Sequence, residues 1–186
     1  TFGVRALCYS GDTSLAATLT TRTSCLPISS LPYSCDFDDL AVGLGSGVSF
    51  VPCWTRALNY DALTPTISAN VTPGNNYLYF NLVAGQQDTV CAALPELDAN
   101  IDAAYTELRF DAMRFNMLDM YEIPFLEVGV MDDPGNIHSF SPVDTMSIAN
   151  DSAFTHYAIP LLSYTGSGKY VAFRCIVSGT NFAFAA

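Results

Sequence analysis

Carboxylates that could bind a cation lie close together near residue 36. Asp36 and Asp38 flank Phe37, and in an extended segment both carboxylates would point to the face opposite that ring. The Gly-rich stretch 41–49 follows and can offer backbone carbonyls. A hard cation such as Ca²⁺ takes about six to eight oxygen ligands. The pattern therefore predicts either a calcium site or solvated carboxylates at the end of a strand.

Aromatic side chains are the second set of residues that could act on a ligand. Tyr77 and Tyr79 share one face of a predicted strand, and Tyr121 lies in an apolar connection between two strands. A tyrosine ring can stack on the CH groups of a sugar while its hydroxyl forms hydrogen bonds. We predict these three tyrosines as candidate ligand-binding residues, with packing inside the protein as the alternative. Trp54, the only tryptophan, is predicted to pack in the core.

The residues needed for catalysis do not form a recognisable constellation. An enzyme site needs a base, a nucleophile and a group that orients them. The two histidines are His138, in a turn-rich loop, and His156, on a predicted strand that could face either way. The sequence has no nucleophile elbow, zinc-protease motif, phosphate-binding loop or dinucleotide-binding glycine motif. We therefore predict that the protein is not an enzyme.

Strands with alternating apolar and polar residues must position these side chains. Such a period of two is typical of half-buried strands, and it is clearest at 108–112, 126–130 and 171–174. In the last of these, Phe173 is predicted to face the core and Arg174 the solvent, so that loss of Arg174 costs little. Further strands are predicted at residues 77–82, about 89–94, 143–148 and 154–161, and a loop at 64–76.

Composition narrows the class of protein. Half of the 186 residues are apolar, and the 12 glycines and 10 prolines favour a β-rich fold with many turns. The formal net charge of −11 argues against binding to nucleic acid or to anionic lipid, because both would be repelled. It is compatible with cations and with neutral glycans. No apolar run reaches the roughly 18–20 residues of a membrane span.

Cysteine usage indicates an oxidising compartment. The six cysteines are Cys8, Cys25, Cys35, Cys53, Cys91 and Cys175. No CxxC motif is present and neither histidine has metal-ligand spacing to a cysteine, so zinc binding is improbable and disulfides are the better interpretation. Cys8 and Cys25 lie on or just beyond the two arms of a predicted hairpin and are one expected pair. Cys91 and Cys175 either form a bridge across the sandwich or are buried thiols.

The N-terminal residues form a unit of their own in this interpretation. Segments 2–9 and 14–20 flank a Ser-Gly-Asp-Thr turn and predict a β-hairpin, and 21–32 reads as a linker. The string FGVRALCYSGDTS resembles the last two strands of a fibronectin type III-like module. Residues 1–26 are therefore expected to be a hairpin remnant of such a domain, with a linker to about 32. Residues 33–186 are expected to form the main domain.

Several motifs in one order resemble a known family. LEVGVM followed by an Asp-Pro turn, FSPVDT, and YAIPLLSYTGSGKYVAFR resemble MAM-like, choice-of-anchor J and cleaved-adhesin modules of exported surface proteins of Bacteroides-type bacteria. The resemblance covers roughly residues 31–186. It implies an antiparallel jelly-roll β-sandwich (concanavalin/galactose-binding-like), so the whole chain is expected to be all-β, with the N-terminal β-hairpin preceding the sandwich. It also implies a Cys35–Cys53 disulfide and a structural Ca²⁺ site that uses Asp36 and Asp38.

The resemblance and the composition together predict a function class. We expect a non-catalytic binding module of a secreted or cell-surface protein, used for adhesion or carbohydrate recognition. Its partner would be a glycan or a host or cell-surface protein, and not nucleic acid. A structural spacer between other domains is the alternative, and an accessory domain of a glycan-processing enzyme is a third.

Overall fold

The chain folds into two five-stranded antiparallel sheets and a two-stranded hairpin. The computed structural model describes residues 2–4, 17–19, 25–37, 51–58, 67–72, 75–82, 87–115, 125–148, 154–178 and 182–185. The strands in these ranges are β1 (Phe2–Val4), β2 (Ala17–Leu19), β3 (Thr55–Leu58), β4 (Ile67–Thr72), β5 (Asn75–Leu82), β6 (Gln87–Ala93), β7 (Glu107–Phe115), β8 (Phe125–Met131), β9 (Phe140–Ser147), β10 (Thr155–Pro160), β11 (Tyr170–Ser178) and β12 (Phe182–Ala185). The described helical parts are short 3-10 turns at Ala103–Tyr105 and Ile137–Ser139. None of them has the length and apolar character needed to cross a membrane.

Most consecutive strands along the chain lie in different sheets. The sheet that we call the β7 sheet has the order β10-β7-β12-β5-β4, and the β11 sheet has the order β3-β6-β11-β8-β9. The chain passes from one sheet to the other after β3, β5, β6, β7, β9, β10 and β11. The predicted all-β sandwich is therefore confirmed, with a jelly-roll-like exchange of strands between two layers. β1 pairs antiparallel with β2, as expected for the N-terminal hairpin.

The main core lies between the two sheets and is built from their alternating apolar residues. Phe110 of β7 meets Phe173 of β11 edge to face, with ring centres 5.0 Å apart. Trp54 also stacks against Phe173 at 6.5 Å, which confirms it as a core-packed residue. The predicted inward faces of the patterned strands are confirmed. They supply Ala112, Leu126, Val128, Val130, Val171 and Phe173 to this core.

Part of the outer face of the β11 sheet is covered by residues of the same chain. Ala93, Ala172 and Gly129 are aligned across β6, β11 and β8, and these small residues form a shallow floor. Ile137 and Phe140 pack on this floor in a second apolar cluster. A β-carbon at Gly129 would lie 2.6 Å from the Phe140 ring, so only glycine leaves room for that ring.

The prediction that Arg174 faces solvent is wrong. Its Nε donates to Oε2 of Glu127 on the neighbouring strand at 2.5 Å, and its guanidinium lies 4.2 Å from the centre of the Phe140 ring. Glu127 is only 8% exposed, and the Thr145 hydroxyl donates a further hydrogen bond to it. Alternation correctly placed Arg174 on the face opposite Phe173. It could not show that Phe140 covers that face.

The disulfide connectivity differs from the prediction. Cys25 is bonded to Cys53, with Cα atoms 5.3 Å apart. The predicted pairs Cys35–Cys53 and Cys8–Cys25 are therefore wrong, since each needs a cysteine that is already used. Cys35 is a partly buried free thiol that packs against the main core. The disulfide ties the start of segment 25–37 to the turn before β3.

Part of the predicted linker packs against the sandwich. Ile28 is buried in the main core and forms a parallel bridge with Leu97. Its N–H donates to the carbonyl of Glu96 at 2.7 Å, and its own carbonyl accepts from the N–H of Asp98 at 3.0 Å. The side chain and both backbone groups of Ile28 therefore hold this segment against the end of β6.

The expected bridge between Cys91 and Cys175 is wrong: both are free, buried cysteines, as the alternative interpretation had it. Cys91 lies opposite Arg174 and Cys175 opposite Val90, so the two cysteines are one register position apart on adjacent strands. Successive residues of a strand point to opposite faces. Cys175 therefore points into the core between the sheets, whereas Cys91 belongs to the cluster on the outer face.

A strand replaces most of one predicted loop. Residues 67–72 form β4, which pairs with β5 from Ile67 opposite Phe80 to Thr72 opposite Asn75. The proline and asparagine residues around 64–76 indicated a loop, but Ile67, Ala69 and Val71 also alternate with polar residues. The alternation was the better guide within the strand.

Candidate ligand-binding face

The outer face of the β7 sheet carries exposed polar residues. The core-facing residues of β7 are Leu108, Phe110 and Ala112. Alternation turns Glu107, Arg109 and Asp111 outwards, and all three are exposed. On the adjacent strand β10, Tyr157 and Ile159 pack in the core while His156 is exposed. The outer side of this strand pair thus presents the polar residues of β7 beside His156, Ala158 and Pro160 of β10.

An aromatic pair adjoins this polar surface. The rings of Tyr77 and Phe154 lie 6.3 Å apart in a tilted arrangement, and Phe154 is 45% exposed. Tyr77 belongs to β5, whose neighbouring residue Leu78 is fully buried in the core. The contact between the rings therefore forms on the outer side of the sheet.

Strand register places the aromatic and polar groups at the same level of the sheet. Ala185 of β12 pairs with Tyr79 on one side and with Met113 on the other. Tyr77, two residues before Tyr79, is consequently level with Asp111, two residues before Met113. We call the group formed by Tyr77, Asp111, Phe154 and His156 the aromatic face.

A histidine–aspartate pair supplies directed hydrogen bonding within the aromatic face. Nδ1 of His156 lies 2.8 Å from Oδ1 of Asp111, and both side chains are 64% exposed. Because Nδ1 is engaged by Asp111, Nε2 on the other side of the ring is the position that can form a hydrogen bond with a ligand. The second carboxylate oxygen is an acceptor. Ring faces beside such acceptors form a surface suited to the CH groups and hydroxyls of a sugar.

The structure places the predicted site residues in different situations. Tyr77 lies in the aromatic face, and the backbone of Tyr79 lies in the same strand, opposite Ser68. Tyr121 and Asp38 lie outside the described residues. Asp36 is exposed, but φ of Phe37 is +62°, so the chain is not extended there. The alternation argument that put Asp36 and Asp38 on one face therefore fails.

Two residues of the aromatic face escaped prediction from sequence. Phe154 is the first residue of the predicted strand 154–161 and gave no signal of its own. Asp111 was recognised only as a polar residue in an alternating strand. Its pairing with His156 joins residues 45 positions apart, and it depends on the register between β7 and β10. The one available clue to the position of His156 was that it precedes Tyr157 in a strand, so the two side chains must point to opposite faces.

The described residues do not assemble other chemical sites. Across the part of the chain that the structure describes, no three His, Cys, Asp or Glu side chains cluster as metal ligands. Burial raises the pKa of the Cys91 thiol to about 12 and the pKa of Cys175 well above its usual value. Both thiols stay protonated at neutral pH and are poor nucleophiles.

Comparison with known proteins yields partial likenesses only. No family model and no curated protein matches the chain. Among solved structures, it is similar to the glycoside hydrolase domain of Endo-D from Streptococcus pneumoniae, at 14% identity and a TM-score of 0.43. That match covers 71% of this chain and 20% of the other chain. It is also similar to a cleaved adhesin domain of Lys-gingipain from Porphyromonas gingivalis, at 15% identity and a TM-score of 0.41, covering 71% of this chain and 78% of that one.

Proposed function

We propose that the protein is a non-catalytic binding module of an exported protein and that it recognises a glycan through the aromatic face. The observation that supports this most is the Tyr77–Phe154 ring pair beside the His156–Asp111 pair. These groups lie on the outer surface of the β7 sheet, whereas its inner surface is closed by packing. Aromatic rings flanked by a few directed polar groups are the usual composition of a sugar site.

The contrast between the two sheets supports a ligand on the β7 sheet. Ile137 and Phe140 from the same chain occupy the central part of the outer face of the β11 sheet, around Ala93 and Ala172, although Phe125 at the start of β8 stays exposed. On the β7 sheet, Phe154, Asp111 and His156 remain substantially exposed. An exposed aromatic ring next to oriented polar groups is an arrangement that a ligand can complete.

A role outside the reducing cytoplasm is supported by the Cys25–Cys53 disulfide. The motif resemblance to MAM-like, choice-of-anchor J and cleaved-adhesin modules points to the same compartment, namely secreted or cell-surface. The proposed absence of catalysis rests on the sequence, which contains no recognisable catalytic motif.

Replacement of Phe154 by alanine tests the proposal. We expect glycan binding to weaken by about tenfold or more, because one stacking ring contributes about 0.5–1.5 kcal/mol beyond its buried area. The melting temperature should change little, since Phe154 is about half exposed. Binding should be measured on an array of neutral and acidic glycans and then by calorimetry. Phe125→Ala is the matched control, because Phe125 is 51% exposed and lies on the β11 sheet.

The outcomes of this test separate the rival functions. Binding that Phe154→Ala weakens and Phe125→Ala leaves unchanged would support recognition by the aromatic face. A stable wild-type protein that binds no glycan on the array would instead favour the structural spacer. Turnover of a bound glycan would contradict the non-catalytic assignment and favour an accessory role within a glycan-processing enzyme.

A structural Ca²⁺ site that uses Asp36 and Asp38 is a separate proposal, which rests on the motif resemblance and the acidic composition of this segment. Asp36 is exposed and can reach a cation from solvent. At a Ca²⁺ concentration one hundred times its dissociation constant, linkage would stabilise the fold by about 2.7 kcal/mol. We expect millimolar CaCl₂ to raise the melting temperature by several degrees relative to EGTA, and Asp36→Asn to abolish the increase. An equal increase in the variant would exclude Asp36 as a ligand.

A further inference from the structure

We infer that the ligand is an extended, neutral oligosaccharide that lies along the β7–β10 strand pair, with Tyr105 as a second aromatic contact at the far end. This inference rests on the proposed glycan-binding function and adds the length, charge and direction of the ligand. It follows from the order of exposed groups along the strand pair, from their ion pairing, and from the exposure of Tyr105.

The exposed groups follow one line. Phe154 stands one residue before β10, and His156 follows, paired with Asp111 of β7. Two residues further along the strand pair, Arg109 pairs with Glu107 at 2.5 Å. Same-face residues of a strand are about 6–7 Å apart. These groups are therefore spaced at regular intervals along the strand pair, where they can contact successive units of a linear ligand.

The far end of this line carries an unusually exposed aromatic residue. Tyr105 precedes β7 by two residues and is 83% exposed. The end of β10 is fixed beside it, because the N–H of Leu161 donates to the carbonyl of Thr106 at 2.9 Å. Tyr105 ends the 3-10 turn Ala103–Tyr105, and the extended chain from Thr106 to Asp111 alone covers five residue steps, which corresponds to roughly 17 Å. That distance is several times the length of one sugar ring, so a single sugar cannot contact both aromatic ends.

The space between the two aromatic ends is open. Ala158 lies opposite Arg109, and Pro160 lies opposite Glu107. Both are exposed, and neither has a long side chain that could form a wall. A linear chain can therefore pass over β10 while its hydroxyls reach the polar groups of β7.

The charges along the line favour a neutral ligand. Each carboxylate has a partner, since Glu107 pairs with Arg109 and Asp111 pairs with His156. The four groups carry no net positive charge whether or not His156 is protonated, so an acidic sugar meets no uncompensated cation. The formal charge of −11 on the whole chain repels an anionic glycan further. The paired groups still present free acceptor and donor positions to sugar hydroxyls.

The test uses linear glycans of one to six units on an array, in matched neutral and uronic acid series, followed by calorimetry on the wild type. We expect affinity to rise with length over several units in the neutral series and binding of the acidic series to be weaker. Tyr105→Ala should weaken binding of the longest neutral glycans about five- to tenfold. It should leave the binding of single sugars unchanged, and Phe125→Ala should change neither.

The length of the ligand, its charge and the glycan-binding function can each fail separately, and each failure gives a different result. Affinity that is independent of length, or a Tyr105→Ala variant indistinguishable from Phe125→Ala, would overturn the extended ligand while Phe154-dependent binding still supported the aromatic face. Preference for the acidic series would overturn the assignment of a neutral ligand. Absence of binding to every glycan would overturn the proposed function and this inference together.

Discussion

Replacing Phe173 with alanine should lower the free energy of unfolding by about 3–5 kcal/mol. Phe173 is 3% exposed and contacts Phe110 edge to face from one sheet to the other. It also stacks against Trp54, which lies next to the disulfide-bonded Cys53. Loss of the ring therefore leaves a cavity that adjoins both sheets and the N-terminal segment, and neither rigid sheet can close it.

The measurement is urea unfolding followed by tryptophan fluorescence, with Trp54 as the only tryptophan. Because Trp54 contacts Phe173, a second probe such as circular dichroism is needed to show that both report one transition. Phe125→Ala is the control, since the same atoms are removed from a ring that is half exposed. Equal unfolding free energies for the two variants would contradict the packing described for Phe173.

Replacing Arg174 with alanine should cost about 3–5 kcal/mol, which reverses the expectation from sequence. The substitution leaves the Glu127 carboxylate, which is 8% exposed, without its cationic partner. It also removes the guanidinium from the Phe140 ring. A Glu127 carboxylate left without its partner beneath Phe140 lowers the free energy of unfolding more than the loss of an exposed ion pair does. An exposed ion pair contributes only about 0–1 kcal/mol.

A double variant separates the unpaired charge from the lost packing. Arg174→Met combined with Glu127→Leu removes both charges and keeps most of the volume, so it should be less destabilising than Arg174→Ala. The comparable surface pair is Arg109–Glu107, and Arg109→Ala should cost little. If Arg174→Ala and Arg109→Ala reduce stability equally, the Phe140 segment does not cover the Arg174–Glu127 pair.

The strands were largely predictable because their signal is local. Leu108, Phe110 and Ala112 alternate within one short segment, and no distant residue is needed to interpret that pattern. The same rule recovers the inward faces of β8 and β11. It failed at 64–76, where turn residues at both ends concealed the alternation of β4.

The cysteine pairs and the candidate site were less predictable because they depend on register and on how segments pack. Whether Cys91 can reach Cys175 is decided by a single register position between β6 and β11. The contact between His156 and Asp111 likewise exists only in one alignment of β10 with β7. For Cys53, the path of residues 25–37 decided that its disulfide partner is Cys25 and not Cys35. That path includes a left-handed residue at Phe37, which no pattern of apolar residues encodes.

The Cys25–Cys53 disulfide has a mechanical consequence. When tension is applied upstream of Cys25, the covalent path through the sulfur atoms leads directly to Cys53 and bypasses the residues between them. The two cysteines are 28 positions apart, so a pulling force cannot extend the residues between them, including Ile28, while the disulfide is intact. In the cell-surface role that we propose, stretching the chain could therefore not draw this segment out.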